Sequence, residues 1–404
     1  MRKGGMHQVV MLAFSLAVLQ VGFGIVTPIF PFYVLELGVG GAELGVLASS
    51  FALTRIAFSS PMGGLSDNMG RKPVLLMSLL GFAFANVAYA FAQDIFIMIA
   101  ARALEGAVSA GFFPAANAFV SDMTTPENRG TAMGYLSMGN MVGFVVGPTV
   151  GGVLAQLLGI RLPFIVAAVA SLGTLLSIYI LVGEPEVKTS WREQTRGARA
   201  SLRSVLSRHP KAYLALGVST FADMFAIGIL EVAFMLDAVK RFSLQPIDIG
   251  VFFGLIGVIV IVGSVAFGKT SDVYGRKLLI VLGTTLVTIS MVLFIVSADI
   301  RGILIGGGVL ATGMSMRGPS NQALIGDLTE KQAYGNVMGL YGAVTNSAYA
   351  VSPLLAGVLL DRDGTSYSAL LLGASVSLLG VLTTSLLLPR RVVSQSSQTN
   401  VAAV

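Results

Sequence analysis

The chain has 404 residues, of which 54% are hydrophobic and only 11% charged, and its mean hydropathy is +0.82. A soluble domain carries about a quarter charged residues, so this composition calls for lipid as the solvent. The absence of cysteine excludes disulfides and thiolate sites, and the only histidines, His7 and His209, both fall at membrane boundaries. No metal, no cofactor and no histidine- or thiol-based catalysis is expected.

Runs of about 20 apolar residues, each enough to cross the hydrocarbon layer, fall at 8–32, 42–65, 74–92, 95–120, 130–158 and 162–183. Six more follow at 211–237, 247–270, 277–297, 301–326, 333–360 and 366–388. Backbone groups in lipid need internal partners, so these runs are read as helices. The expectation is an all-α membrane protein of twelve transmembrane helices in two six-helix bundles, residues 1–183 and 211–388. The first run contains Pro28 and Pro31 and lacks a small-residue cleavage site, so it is read as a spanning helix rather than a signal peptide. Residues 184–210 form the expected cytoplasmic linker. In it Trp191, Ala198, Leu202, Val205 and Leu206 recur at near-helical spacing among five arginines, predicting a basic amphipathic helix on the inner leaflet. Residues 389–404 are polar and expected to be a disordered cytoplasmic tail.

With the N-terminus inside, the inner loops and tails hold 18 lysines and arginines against 5 in the outer loops, and Arg55, Arg102 and Arg317 lie within spans. The positive-inside bias places both termini in the cytoplasm. The net positive charge is therefore a topology signal, and no nucleic-acid partner is expected. Short loops without N-x-S/T sites on the outer side favour a cell inner (plasma) membrane, and a monomer is expected.

Gly63-Gly64-Leu65-Ser66-Asp67-Asn68-Met69-Gly70-Arg71-Lys72 returns 205 residues later as Gly268-Lys269-Thr270-Ser271-Asp272-Val273-Tyr274-Gly275-Arg276-Lys277. The same offset pairs Asp94 with Asp299, Pro114 with Pro319, Asp122 with Asp327, Pro148 with Pro353 and Gly152 with Gly357. Two copies in one orientation inside an apolar chain point to a secondary transporter. Gly63 permits close helix approach. Asp67 and Arg71 are four apart and can pair if the turn is helical; Asp122 is a second candidate partner. Gly70, Lys72, Asp272 and Arg276 complete a cluster read as a gate that forms in one conformational state and breaks in another.

Ionisable groups within the membrane are costly and default to function. Arg102 and Glu105 are three apart on the fourth span and can pair along one face. A carboxylate in a poorly hydrated cavity holds its proton more tightly and a neighbouring guanidinium loosens it, so such a pair can act as a proton switch. The alternative is a self-neutralised pair that stabilises the helix. Asp223 and Glu231 share the seventh span, about 80° apart around it, and no basic residue of that helix is placed to pair with Asp223. They are candidates for carrying a proton or meeting a cationic substrate. Arg317 precedes Gly318-Pro319, a helix break. Arg55 is read as structural, pairing across a helix interface. Gly143, Gly147 and Gly151, at spacing four, make one smooth face on the fifth span, and Pro148 bends it. With Gly152 they suit close packing and a coupling role equally well.

The loop sequence resembles the signature of the major facilitator superfamily, G-x-L-a-D-r-x-G-r-K, over nearly the whole chain. Gly22-x5-Pro28-Ile29-Phe30-Pro31, Arg102-Ala103-Leu104-Glu105-Gly106 and Gly143 to Gly152 resemble motifs of its drug:proton antiporter branch. Glu105 stands where that branch usually has Gln, and Val108 where it usually has Gly. The resemblance implies that the first, fourth, seventh and tenth spans line a central cavity. Candidate substrate contacts are then Phe112, Phe113, Met224, Phe225, Arg317 and Tyr341. The expected function is a proton-coupled antiporter exporting amphipathic, cationic drug-like compounds by alternating access, with small-molecule substrate, protons and membrane lipids as partners. The second expectation is a facilitator-type exporter or flippase for an endogenous sugar, metabolite or lipid.

Overall fold

The structure is a computed structural model that describes residues 5–184, 202, 204–330 and 333–389. Trp191, Ala198, most of the expected linker helix and the expected disordered tail lie outside the described residues. The first span runs as α1 (Gly5–Val26), a 3-10 turn (Thr27–Ile29) and α2 (Phe30–Glu36). The break falls at Pro28, which has no N–H to continue the helical ladder. There follow α3 (Gly41–Met69), α4 (Arg71–Ala90), α5 (Ile95–Met123), α6 (Pro126–Leu158) and α7 (Leu162–Leu181). After the linker come α8 (Pro210–Ile229), a π-helical turn (Leu230–Phe234), α9 (Met235–Lys240) and α10 (Pro246–Tyr274). The series ends with α11 (Arg276–Val296), α12 (Ile300–Leu328), α13 (Tyr334–Asp363) and α14 (Tyr367–Leu387).

Among the described residues, ten helices are long and apolar enough to cross a membrane, α1 and α2 counting as one. Of the two other expected spans, one is divided into α8 and α9 by the π turn. The other, α12, is rich in glycine, carries Arg317 and runs unbroken through Pro319, where the sequence suggested a helix break. Phe96, Val273 and Leu386 are 78–79% exposed, a burden that lipid relieves and water would not.

The positions related by the 205-residue offset do the same local work in each copy. Asp94 and Asp299 cap α5 and α12, each accepting a 2.9 Å bond from a first-turn N–H. Gly70 and Gly275 separate α3 from α4 and α10 from α11 with φ of +106° and +95°, a conformation that favours glycine.

The described residues form two compact units. One comprises 5–184 and 235–255; the other comprises 202, 204–234, 256–330 and 333–389. In the first, α1 packs on α6 and α7, α3 on α5, and α4 on α5 and α7. In the second, α8 packs on α13 and α14, and α11 on α12 and α14. At the described end of the linker, Val205 is buried in the core of the second unit, with Leu202 and Leu206 against it. Those apolar side chains therefore face protein, where the sequence suggested lipid.

Candidate transport site

The first unit assembles three polar groups deep among apolar helices. Arg102 and Glu105, 2% and 1% exposed, pair at 2.8 Å along α5. The Tyr89 hydroxyl on α4 donates to the same Glu105 oxygen, Oε2, at 3.0 Å. Tyr33 on α2 holds the end of α4 in place, its hydroxyl bridging the Tyr89 and Ala92 carbonyls at 2.9 Å each. The Arg102 guanidinium sits 5.4, 5.0 and 4.9 Å from the ring centres of Phe23, Phe30 and Phe51. Three aromatic faces and one carboxylate thus hold a cation that would otherwise be costly at this depth. The helices approach closely because Gly106 of α5 has no side chain: a Cβ there would collide with the Phe51 carbonyl and the Thr54 hydroxyl.

The α6 glycines pack in two directions. Gly143, Gly147 and Gly151 lie against α1, where added Cβ atoms would collide with backbone at Val21, Gly24 and Ile25. Gly139 extends the row one turn further, against the Ala13 carbonyl; its spacing of four from Gly143 was the available signal. Pro148 packs on Gly24 of α1, while Gly152 faces Pro246 and Gly250 of α10. Thr149 donates to the Gly250 carbonyl at 3.1 Å. In the second unit Ala348, Ser352 and Ala356 are fully buried at the corresponding positions, so small-residue packing recurs without the glycines.

In the second unit, Asp223 is 2% exposed on α8 and ion-paired with Arg317 of α12. The sequence offered Asp223 no partner on its own helix; α12, 94 residues on, supplies one. Arg317 also donates to the Ser219 carbonyl at 3.4 Å and lies over Gly283, and Asn321 bonds Thr220 at 3.1 Å. Glu231 accepts a hydrogen bond from the Tyr349 hydroxyl of α13. It lies in the π turn, which has more than four residues per turn, so the 80° phase counted from Asp223 on an ideal helix does not apply.

The cavity candidates are dispersed. Phe112 is fully buried in the core of the first unit, edge-on to Phe82 and Phe113, and is core packing rather than a surface for substrate. Tyr341 is likewise core, 6% exposed and donating to the Tyr213 carbonyl at 3.0 Å. Phe225 is buried and stacked on Phe221, whereas Phe113 and Met224 are half-buried.

At the loop motif, Arg71 bonds Asp67 at 3.0 Å, Asp122 at 3.2 Å and the Ser66 hydroxyl at 3.0 Å. Arg276 repeats all three contacts with Asp272, Asp327 and Ser271. The lysines correspond too: Lys72 donates to the Tyr179 carbonyl at the end of α7, and Lys277 to Ser385 and Leu388 at the end of α14. Two features differ. Glu184 accepts from the Arg71 and Lys72 N–H groups at 2.7 and 2.8 Å, and its repeat position is Pro389. The first copy is also more enclosed, with 5% of the Arg71 side chain exposed against 24% for Arg276.

The sequence profile of the Major Facilitator Superfamily matches residues 12–269 and again 212–403. The chain belongs to this superfamily. It is similar to Multidrug resistance protein 2 of Bacillus subtilis, 27% identical over 88% of this chain and 89% of that protein. It is also similar to Quinolone resistance protein NorA of Staphylococcus aureus, 24% identical over 93% and 95% of the two chains. Among solved structures it resembles a bacterial homolog of the human lysosomal transporter Spinster, inward-facing and occupied. That likeness has a TM-score of 0.77 at 13% identity and covers 96% and 97% of the chains. It establishes the fold alone.

Membership makes the chain a multi-pass membrane protein of a transporter superfamily, and its departures from the superfamily's drug-antiporter motif acquire local reasons. Val108, where glycine is usual, packs into the space left by Gly81 of α4. Glu105, where glutamine is usual, is matched by Arg102 and Tyr89.

Proposed function

We propose that this superfamily member is a proton-coupled antiporter that exports amphipathic, cationic drug-like compounds. It acts in the cell inner membrane as a monomer, with both termini cytoplasmic and residues 1–183 and 211–388 alternating as two halves. The observation that carries the reading is a buried acid–arginine pair in each repeat, Arg102–Glu105 and Asp223–Arg317. A proton arriving on Glu105 cancels the charge that Arg102 and Tyr89 share; one arriving on Asp223 releases Arg317. A cationic substrate competes for the same carboxylates, so loading of one partner expels the other. Glu231, held by Tyr349, is a third proton-accepting candidate. The half-buried Phe113 and Met224 offer soft apolar contact, and the Arg71 and Arg276 clusters act as gates. The names of the bacterial relatives support drug export as the direction.

The test is purified protein in proteoliposomes with an imposed pH gradient, an internal pH dye and a panel of lipophilic cations and neutral sugars. Cations that discharge the gradient in wild type but not in Asp223→Asn or Glu105→Gln support the proposal. Exchange of compounds without proton movement would replace it with the facilitator or flippase reading.

A further inference from the structure

Arg55 stands at the middle of α3, 14 residues from Gly41 and 14 from Met69, or about 21 Å from either end. It was expected to pair across a helix interface, and it does not. Among the described residues no carboxylate lies within ion-pair distance of it, although it is only half exposed. Its guanidinium rests 5.5 Å from the Phe113 ring centre and 5.9 Å from that of Phe51, the ring that also faces Arg102. Arg55 and Arg102 thus share the Phe51 ring, and Glu105 is committed to Arg102. Aromatic faces attract a cation without neutralising it. A cation kept at this depth without an anion is the intramembrane feature that most calls for a ligand. Its depth puts it beyond snorkelling to the surface and beyond a phospholipid headgroup. The repeat position is Val260, so the fold itself does not require a charge there.

We propose that Arg55, between Phe51 and Phe113, is the contact for an anionic group, a carboxylate or sulfonate, on an amphipathic substrate. On the export reading, the transporter then accepts zwitterions as well as cations: half-buried Phe113 takes the apolar body and Arg55 the acid. The planar guanidinium fork suits two-oxygen recognition.

A matched dye pair tests this. Rhodamine B carries a free carboxylate, and rhodamine B ethyl ester is the same fluorophore without it. Binding to the detergent-purified full chain is read by fluorescence polarisation for wild type, Arg55→Gln and Arg55→Lys. The ratio of the acid's Kd to the ester's should rise about ten- to a hundredfold in Arg55→Gln, the worth of one charge-assisted hydrogen bond, and much less in Arg55→Lys. Wild type alone supplies a second measurement, in which the acid binds at least as tightly as the ester. A tenfold preference for the ester overturns the proposal, as does an unchanged ratio in Arg55→Gln. A parallel loss of both dyes overturns it too, since that marks a structural role or pairing with an acid of the chain in another state. Failure of wild type to bind either dye overturns the export reading itself, and this assignment with it.

Discussion

Replacing Glu105 by Leu removes the carboxylate 2.8 Å from Arg102 while the guanidinium stays 2% exposed. Breaking a buried pair by removing one partner costs about 3–5 kcal/mol, because the remaining charge has lost its counterion. The rings of Phe23, Phe30 and Phe51 soften that loss but cannot cancel it, each being worth about 0.5–2 kcal/mol and already engaged in wild type. Arg102→Met alone strands the carboxylate instead, with the Tyr89 hydroxyl still donating to it, and should cost a similar amount. The double variant Arg102→Met/Glu105→Leu exchanges the pair for apolar groups of similar volume and should return to within about 1 kcal/mol of wild type. Thermal unfolding of detergent-solubilised protein, followed by fluorescence-detected size exclusion, reads this directly. At roughly 1–2 °C per kcal/mol, extrapolated to this size from smaller domains, each single variant should melt about 3–10 °C lower. The double variant should recover most of that loss while failing to discharge a pH gradient in proteoliposomes. Strictly additive losses in the double variant would refute the energetic account of the pair. Retained proton coupling in it would refute the pair's proposed role.

Three further contrasts follow from the packing. Gly147→Ala places a methyl group 2.7 Å from the Gly24 Cα and the Val21 carbonyl and should cost about 1–3 kcal/mol. Gly134→Ala, on the same helix with nothing within 4 Å, should be neutral or raise the melting temperature. Gly70→Ala must adopt φ near +106° beside the Glu184 carboxylate, whereas Gly275→Ala meets only the backbone strain of about 1–3 kcal/mol. The first should therefore melt lower, and adding Glu184→Ala should relieve part of the difference. Arg71→Ala opens an enclosed cluster, its Asp122 partner 3% exposed, and should cost about 3 kcal/mol. Arg276→Ala opens one whose Asp272 is 62% exposed and should cost under about 1 kcal/mol; equal melting temperatures would contradict the asymmetry.

The sequence by itself determined the repeat, the membrane solvent and the contacts that a helix makes with itself. Arg102 meets Glu105 because residues three apart share a helix face whatever surrounds them. Gly143, Gly147 and Gly151 line one edge for the same reason. Arg71, by contrast, reaches Asp67 across the Gly70 break between α3 and α4, not along one helix. Asp94 and Asp299, or Gly70 and Gly275, could be matched by counting, since the two copies fold alike.

What the sequence left undecided lies across helices. Tyr89 joining Glu105, three rings closing around Arg102, Arg317 reaching Asp223 and Tyr349 reaching Glu231 all depend on how each helix is rotated about its axis. In a soluble protein the apolar stripe announces that rotation. Here lipid and protein interior are both apolar, so nearly every face of every span reads alike, and the chain gives little sign of which side chains turn inward. The π turn at Leu230–Phe234 adds a local phase shift that no periodicity announces. Arg55 shows the same limit from the other side: charge and depth were plain from the sequence, but only packing decided that no acid of the described chain stands opposite it.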